Sequence, residues 1–156
     1  MSIKRLIMAT AIVTAVTAST VLNAQTACTG TRISDTTALE NLLDNQLVCA
    51  FKGADFSDPN QRWSENHLEN GDVQEFGPGG NSTMQPPEVI GTWTVTGASP
   101  NAVVTYTYGS AGPYTYRVND TSGNYQFCDD SNNLIATIKS IEPLATDAAT
   151  VNPCAW

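Results

Sequence analysis

The spacing of apolar residues changes at Arg62. Before it, "ISDTTALENLLDNQ" places Leu39, Leu42 and Leu43 on one helical stripe behind Thr37-Ala38-Leu39-Glu40, a capping box, and predicts one short N-terminal helix. "KGADFSDPNQ" then reads as a loop. From Arg62 onward apolar and polar residues alternate with period two, the signature of half-buried strands. "RWSENHLE" and "DVQEF" flank Asn70-Gly71, a strong hairpin turn signal. Further strands are expected over 89–96, 103–108, 114–119, 124–128 and 134–141. Gly77 to Glu88 is too rich in Gly and Pro for regular structure and reads as a long surface loop. The tail "EPLATDAATVNPCAW" has no period.

Pairing consecutive strands sorts the side chains onto two faces. A five-residue loop at Gly109 to Pro113 sets Tyr108 against Tyr114, Tyr106 against Tyr116 and Val104 against Val118. Trp93 then faces Tyr106 and Val95 faces Val104, while a turn at Asn119 to Asn124 sets Tyr125 beside Val118 and Phe127 beside Tyr116. One face is aromatic and aliphatic. The other carries Thr92, Thr94, Thr96, Thr105, Thr107, Thr115, Arg117, Asn119 and Gln126, as expected of a sheet with one buried and one wet face. The inner row of Gly91, Tyr108 and Tyr114, with Asp129 at its rim, is either a glycine covered by a tyrosine ring or a recess for a ligand. The expected architecture is all-β: an antiparallel meander of about seven strands forming a small barrel or half-barrel, with one short N-terminal helix.

Charge and cysteines add the setting. Lys4 and Arg5 followed by "LIMATAIVTAVTA" read as a signal peptide over residues 1–24, with a retained membrane helix as the alternative. Residues 25–156 then form a single disulfide-stapled β domain. It carries five Lys and Arg against fifteen Asp and Glu, a net charge of −10. That balance disfavours nucleic acid and anionic membrane surfaces as partners. Cys28, Cys49, Cys128 and Cys154 all lie beyond the signal, and an even count on an exported chain points to two disulfides. Three connectivities are open. The local pairs Cys28–Cys49 and Cys128–Cys154 are favoured, each closing a loop for ~3 kcal/mol. No CxxC spacing or EF-hand loop occurs and His67 is the only histidine, so no metal or other cofactor is expected.

Candidate chemistry is sparse. Trp63, Glu65, His67 and Glu69 share one face of the first hairpin strand, whose turn pairs Glu65 with Phe76 and His67 with Gln74. Glu65 could orient His67 as a general base, or both could be solvated residues at the rim of an edge hairpin. Asn81 and Asn119 match the N-glycosylation acceptor pattern.

Gly91-Thr92-Trp93 resembles the G-x-W of lipocalins, although lipocalins carry that motif on their first barrel strand. The order W-S-E-N-H, V-I-G-T-W, V-T-Y-T-Y-G and Y-T-Y-R-V looks like a group of small exported bacterial proteins of unknown activity. This resemblance brings no catalytic residue with it. The expected function is an exported binding domain, periplasmic or secreted, for a small apolar or aromatic ligand near Trp93, Tyr108 and Tyr114. One alternative is an envelope or matrix component that meets another envelope protein through sheet edges. The other is a small hydrolase-like enzyme using Glu65 and His67.

Overall fold

Nine strands, one α-helix and a single 3-10 turn at Pro59–Gln61 follow one another in a computed structural model that describes residues 25–75, 88–145, 154 and 156. The expected signal segment, the glycosylation candidate Asn81 and nearly all of the expected Gly77–Glu88 loop lie outside the described residues. The strands are β1 (Thr31–Arg32), β2 (Gln46–Lys52), β3 (Arg62–His67), β4 (Asp72–Glu75), β5 (Glu88–Thr96), β6 (Val103–Tyr108), β7 (Ala111–Asp120), β8 (Tyr125–Cys128) and β9 (Leu134–Pro143). Neighbours pair antiparallel in the order β7-β6-β5-β4-β3-β2-β9-β8, and β7 also pairs with β8. That last ladder closes eight strands into a barrel, with the short β1 added along β7.

Helix α1 (Thr36–Leu43) starts two residues earlier than the expected capping box, with Thr37 as N-cap, would place it. Its N-cap is Asp35, whose carboxylate accepts a hydrogen bond from Ala38 N at 2.9 Å. Aspartate satisfies an orphan amide and complements the helix dipole at once. Leu39 and Leu43 are fully buried and pack with Val73, Trp93, Val104, Val118 and Ile138. Thr36 Oγ1 donates to Gly97 O and Ser34 O accepts from Ala102 N, so the helix closes the barrel end where β5 finishes and β6 begins.

β2 is the longer of the two strands that the period-two pattern did not reveal. Its inward residues Val48 and Ala50 join the barrel core, while Leu47 and Cys49 are equally buried on the outside. A strand covered on both faces reads as a continuous apolar run, here "LVCAF", rather than as an alternation. Ala145, Cys154 and Trp156 of the C-terminal tail pack against this outer face. Asn66 Nδ2 donates to Ala145 O at 2.9 Å, Ala145 N donates to Asn66 Oδ1, and Cys154 is bonded to Cys49. Arg62 and Lys139 both lie over the Trp156 ring.

The cysteine connectivity differs from the favoured local pairs: the bonds are Cys28–Cys128 and Cys49–Cys154. Each chain end is still fastened, but to a distant strand, because Cys28 packs against Cys128 and Leu134, and Ala145, Cys154 and Trp156 pack against Leu47 and Cys49. Thr26 O accepts from Leu134 N and Cys28 N donates to Asn132 O, holding the N-terminal strap against β8 and β9. The same strap buries Asn119, assigned to the wet face, with its Nδ2 donating to Thr29 O. Asn119 is therefore closed to glycosylation.

Three expected registers shift. β7 begins at Ala111, and Tyr108 pairs with Ala111 across a two-residue turn instead of a five-residue loop. An irregularity follows at Gly112-Pro113, where proline has no N–H to give the ladder. Tyr106 therefore meets Tyr114, and Val104 meets Tyr116. Between β7 and β8 the turn is shorter than expected, so Val118 meets Phe127 and Asp120 meets Tyr125. Both shifts are by two residues and leave every side chain on its expected face. The β3–β4 hairpin shifts by one. Gly71, at φ 85°, is the third residue of a three-residue loop, so His67 meets Val73 and Glu65 meets Glu75. The odd shift turns Val73 and Glu75 to the side of Glu65 and His67.

The tail should depend on its bond to β2. Replacing Cys49 and Cys154 together by alanine is expected to lower unfolding free energy in urea by roughly 2–5 kcal/mol. Limited proteolysis should then cut the C-terminal segment first. Cleavage as slow as in the parent protein would contradict the tail's role as a strap.

Candidate ligand-binding cavity

β3 sends Trp63, Glu65 and His67 into the barrel, because alternate residues of a closed sheet must face its interior. β6 adds Tyr106 and Tyr108, β7 adds Tyr114 and Tyr116, and Phe127, Ile135, Ala136 and Val48 complete a cavity of about 270 Å³. It lies at the barrel end away from α1 and is open on one side.

The rings form a connected cluster. Tyr106 and Tyr108 stack in parallel with centroids 6.1 Å apart, and Phe127 stands edge-on to Tyr106 at 6.0 Å. Tyr116 lies 5.7 Å from Phe127, and Tyr114 lies 6.2 Å from Tyr108. Tyr114 remains 42% exposed, which puts it at the mouth.

Of the three residues expected at a ligand, Tyr108 and Tyr114 line the cavity. Trp93 does not belong to the lining: its ring packs edge-on behind His67 at 5.2 Å, and its Nε1 donates to Leu68 O at 3.0 Å. It ties β5 to the β3–β4 hairpin. Gly91 opposes Tyr108 in the ladder as expected and does not line the cavity. A Cβ there would sit 2.2 Å from Thr107 O, so the glycine is required by the close approach of the β6 backbone. Asp129 is away from the row it was expected to end. Its carboxylate accepts from Ser131 N, Asn133 N and Asn133 Nδ2 and builds the β8–β9 turn.

Glu65 and His67 are interior residues, not solvated rim residues, and they do not hydrogen-bond to each other. Tyr108 OH donates to Glu65 Oε2 at 3.0 Å. His67 Nε2 and Tyr106 OH are hydrogen-bonded at 2.9 Å, while Nδ1 has no partner of good geometry. Burial pushes the Glu65 carboxyl up to about 7, aided by the negative charge of Glu75 and partly offset by the Tyr108 hydrogen bond. Burial pushes the His67 imidazole down to about 3, with a weak opposing pull from the Gln46 backbone. The phenols of Tyr106 and Tyr108 are raised, chiefly by burial and then by the charge on Glu65. Near neutral pH His67 is thus an uncharged imidazole and Glu65 is poised between acid and carboxylate.

Comparison with known proteins finds no matching family, no matching curated protein and no matching solved structure. The site is read from its own chemistry.

The sequence pointed to Trp63, Glu65 and His67 as one strand face and to the tyrosines as another, but not to their meeting. It missed Val48 and Ala136, whose strands reach the cavity only through barrel closure, and Glu75, which the odd hairpin shift turned inward. The Asn70-Gly71 signal could have suggested that shift, since a glycine in the left-handed region serves two- and three-residue loops alike.

Opposite shifts on two neighbouring groups give a signed pH dependence. Glu65 titrates higher when folded than unfolded, so its contribution is full below about pH 4.5 and is lost as pH rises through about 7. His67 titrates lower when folded, so its contribution is full above about pH 6.5 and is lost as pH falls toward 3. Between about 4.5 and 6.5 the two slopes cancel. Glu65→Gln removes one of them: the variant's stability relative to the parent should rise by up to about 3 kcal/mol between pH 4 and pH 8. Urea unfolding at a series of pH values measures this, and a flat difference would contradict burial of the Glu65 charge.

Proposed function

We propose that this protein is a non-enzymatic binding domain that takes a small, mainly apolar or aromatic molecule into the open end of its barrel. The observation that carries the reading is the cavity of about 270 Å³, walled by aromatic rings and holding two convergent polar groups, Glu65 and His67. Few polar groups in a concave apolar wall are the usual composition of a small-molecule site. The volume exceeds the ~150 Å³ that suffices for benzene in an engineered protein cavity.

Other readings draw less support. A general base works best with a pKa near the operating pH, and an imidazole pushed to about 3 is a weak base at neutrality. Assembly through sheet edges needs an open edge, and barrel closure removes the long ones. Two disulfides fit a non-reducing environment. Together with the basic and apolar start of the chain, they support export to a periplasm or secretion.

Amide correlation spectra recorded with phenol, indole and naphthalene test the reading. Shifts should cluster on residues 63–67, 106–108 and 134–136, and Ala136→Phe, which fills the cavity from β9, should weaken binding at least tenfold. Scattered shifts, or binding unaffected by Ala136→Phe, would count against the cavity as the site.

A further inference from the structure

Glu65 and Glu75 are paired on one rung of the β3–β4 ladder, with their side chains on the same face. Glu65 is buried and Glu75 half-buried; carboxylates directly opposite each other repel, and such a pair ordinarily has a cation between or beside it. Among the described residues none is supplied. Desolvation and the other carboxylate act on Glu65, desolvation acts on Glu75, and no Lys or Arg relieves either. Among the described residues the cavity lining contains neither Lys nor Arg, and its one imidazole is uncharged near neutral pH. Tyr108 is the single hydrogen-bond donor to the Glu65 carboxylate among the described residues. The rest of that group's negative charge is left to whatever occupies the cavity.

The wall beside it suits a cation. Trp63, Tyr106, Tyr108, Tyr114, Tyr116 and Phe127 present π-systems around the cavity, and ring faces attract a positive charge through their quadrupoles. A cage of rings next to a carboxylate is the arrangement that selects protonated and quaternary amines over neutral molecules of the same shape. We infer that the ligand of this cavity is a small organic cation, a protonated or quaternary amine with an apolar or aromatic body, its charge held between Glu65 and the tyrosine cage. This rests on the reading of the cavity as a binding site. The other titratable groups facing Glu65 are Glu75 on β4, His67 on β3, Tyr106 and Tyr108 on β6 and Tyr116 on β7; β2, β8 and β9 contribute apolar residues there. The tyrosines stay protonated and His67 stays neutral across the working range. Glu65, pushed up to about 7, changes charge across that range, so affinity for a permanent cation rises with pH as it ionises.

The test uses a permanent cation and its neutral carbon isostere, benzyltrimethylammonium and neopentylbenzene, titrated into the whole protein at pH 8 and pH 5.5 and followed by NMR. The cation should bind at least tenfold more tightly than the isostere at pH 8. That preference should fall severalfold at pH 5.5. Glu65→Gln should bring the two compounds to similar affinity while still binding the isostere. An isostere that binds the parent protein as well as the cation does overturns the inference and leaves the cavity reading standing. Binding of neither compound overturns the inference and counts against that reading too. A preference that persists in Glu65→Gln, or does not change with pH, removes the carboxylate from the explanation. The comparison of the two compounds in the parent protein needs no variant and holds even if Glu65→Gln folds poorly.

Discussion

β2 hydrogen-bonds to β3 along one edge and to β9 along the other, joining the early part of the chain to the late part. That double pairing, with the β7–β8 ladder, turns a meander into a closed barrel. Closure gives the interior its shape, because a sheet that returns on itself must fill the space it encloses with alternate side chains. It also removes the free edges at which an open sheet of Thr- and Tyr-rich strands would pair with another copy. The core at the α1 end is filled by Leu39, Leu43, Val73, Val104 and Ile138. At the other end the clustered rings of β6 and β7 wall the cavity.

Both termini reinforce the barrel from outside. The N-terminal strap is bonded to β8 through Cys28–Cys128, and the C-terminal tail to β2 through Cys49–Cys154. Sequence separations of 100 and 105 mean that each bond closes most of the chain into a loop, which in the chain-entropy account stabilises more than a short local loop does. The tail has a second effect. By covering the outer face of β2 it keeps Leu47 out of water and lets Ser64 and Asn66 of β3 be buried, so the barrel wall is double-layered beside the cavity.

Against this rigid wall the interior polar groups are costly. Glu65 and His67 are held where burial opposes their charges, and neither has the other as a partner. An apolar pair at these positions would fold with less penalty. Polar groups kept in an aromatic cavity at the expense of stability are typical of sites that recognise something. The cavity, its rings and its carboxylate form one unit.

Period-two alternation determined the faces of β5 to β8, since inward and outward sets survive any register error of two residues; Tyr106, Tyr108 and Tyr116 were legible as interior for that reason. The helix was legible from its leucine stripe and the hairpin from Asn70-Gly71. The existence of two disulfides followed from an even cysteine count. Tertiary structure alone decided the rest. β2 was hidden because the C-terminal tail buries its outer face and erases the alternation. The cysteine partners depended on where the two straps lie on the finished barrel. Whether Glu65 is a rim residue or an interior carboxylate turned on closure, which no strand encodes by itself. A local pattern records which side of a strand avoids water, and only the closed sheet determines which residues meet across the space that side encloses.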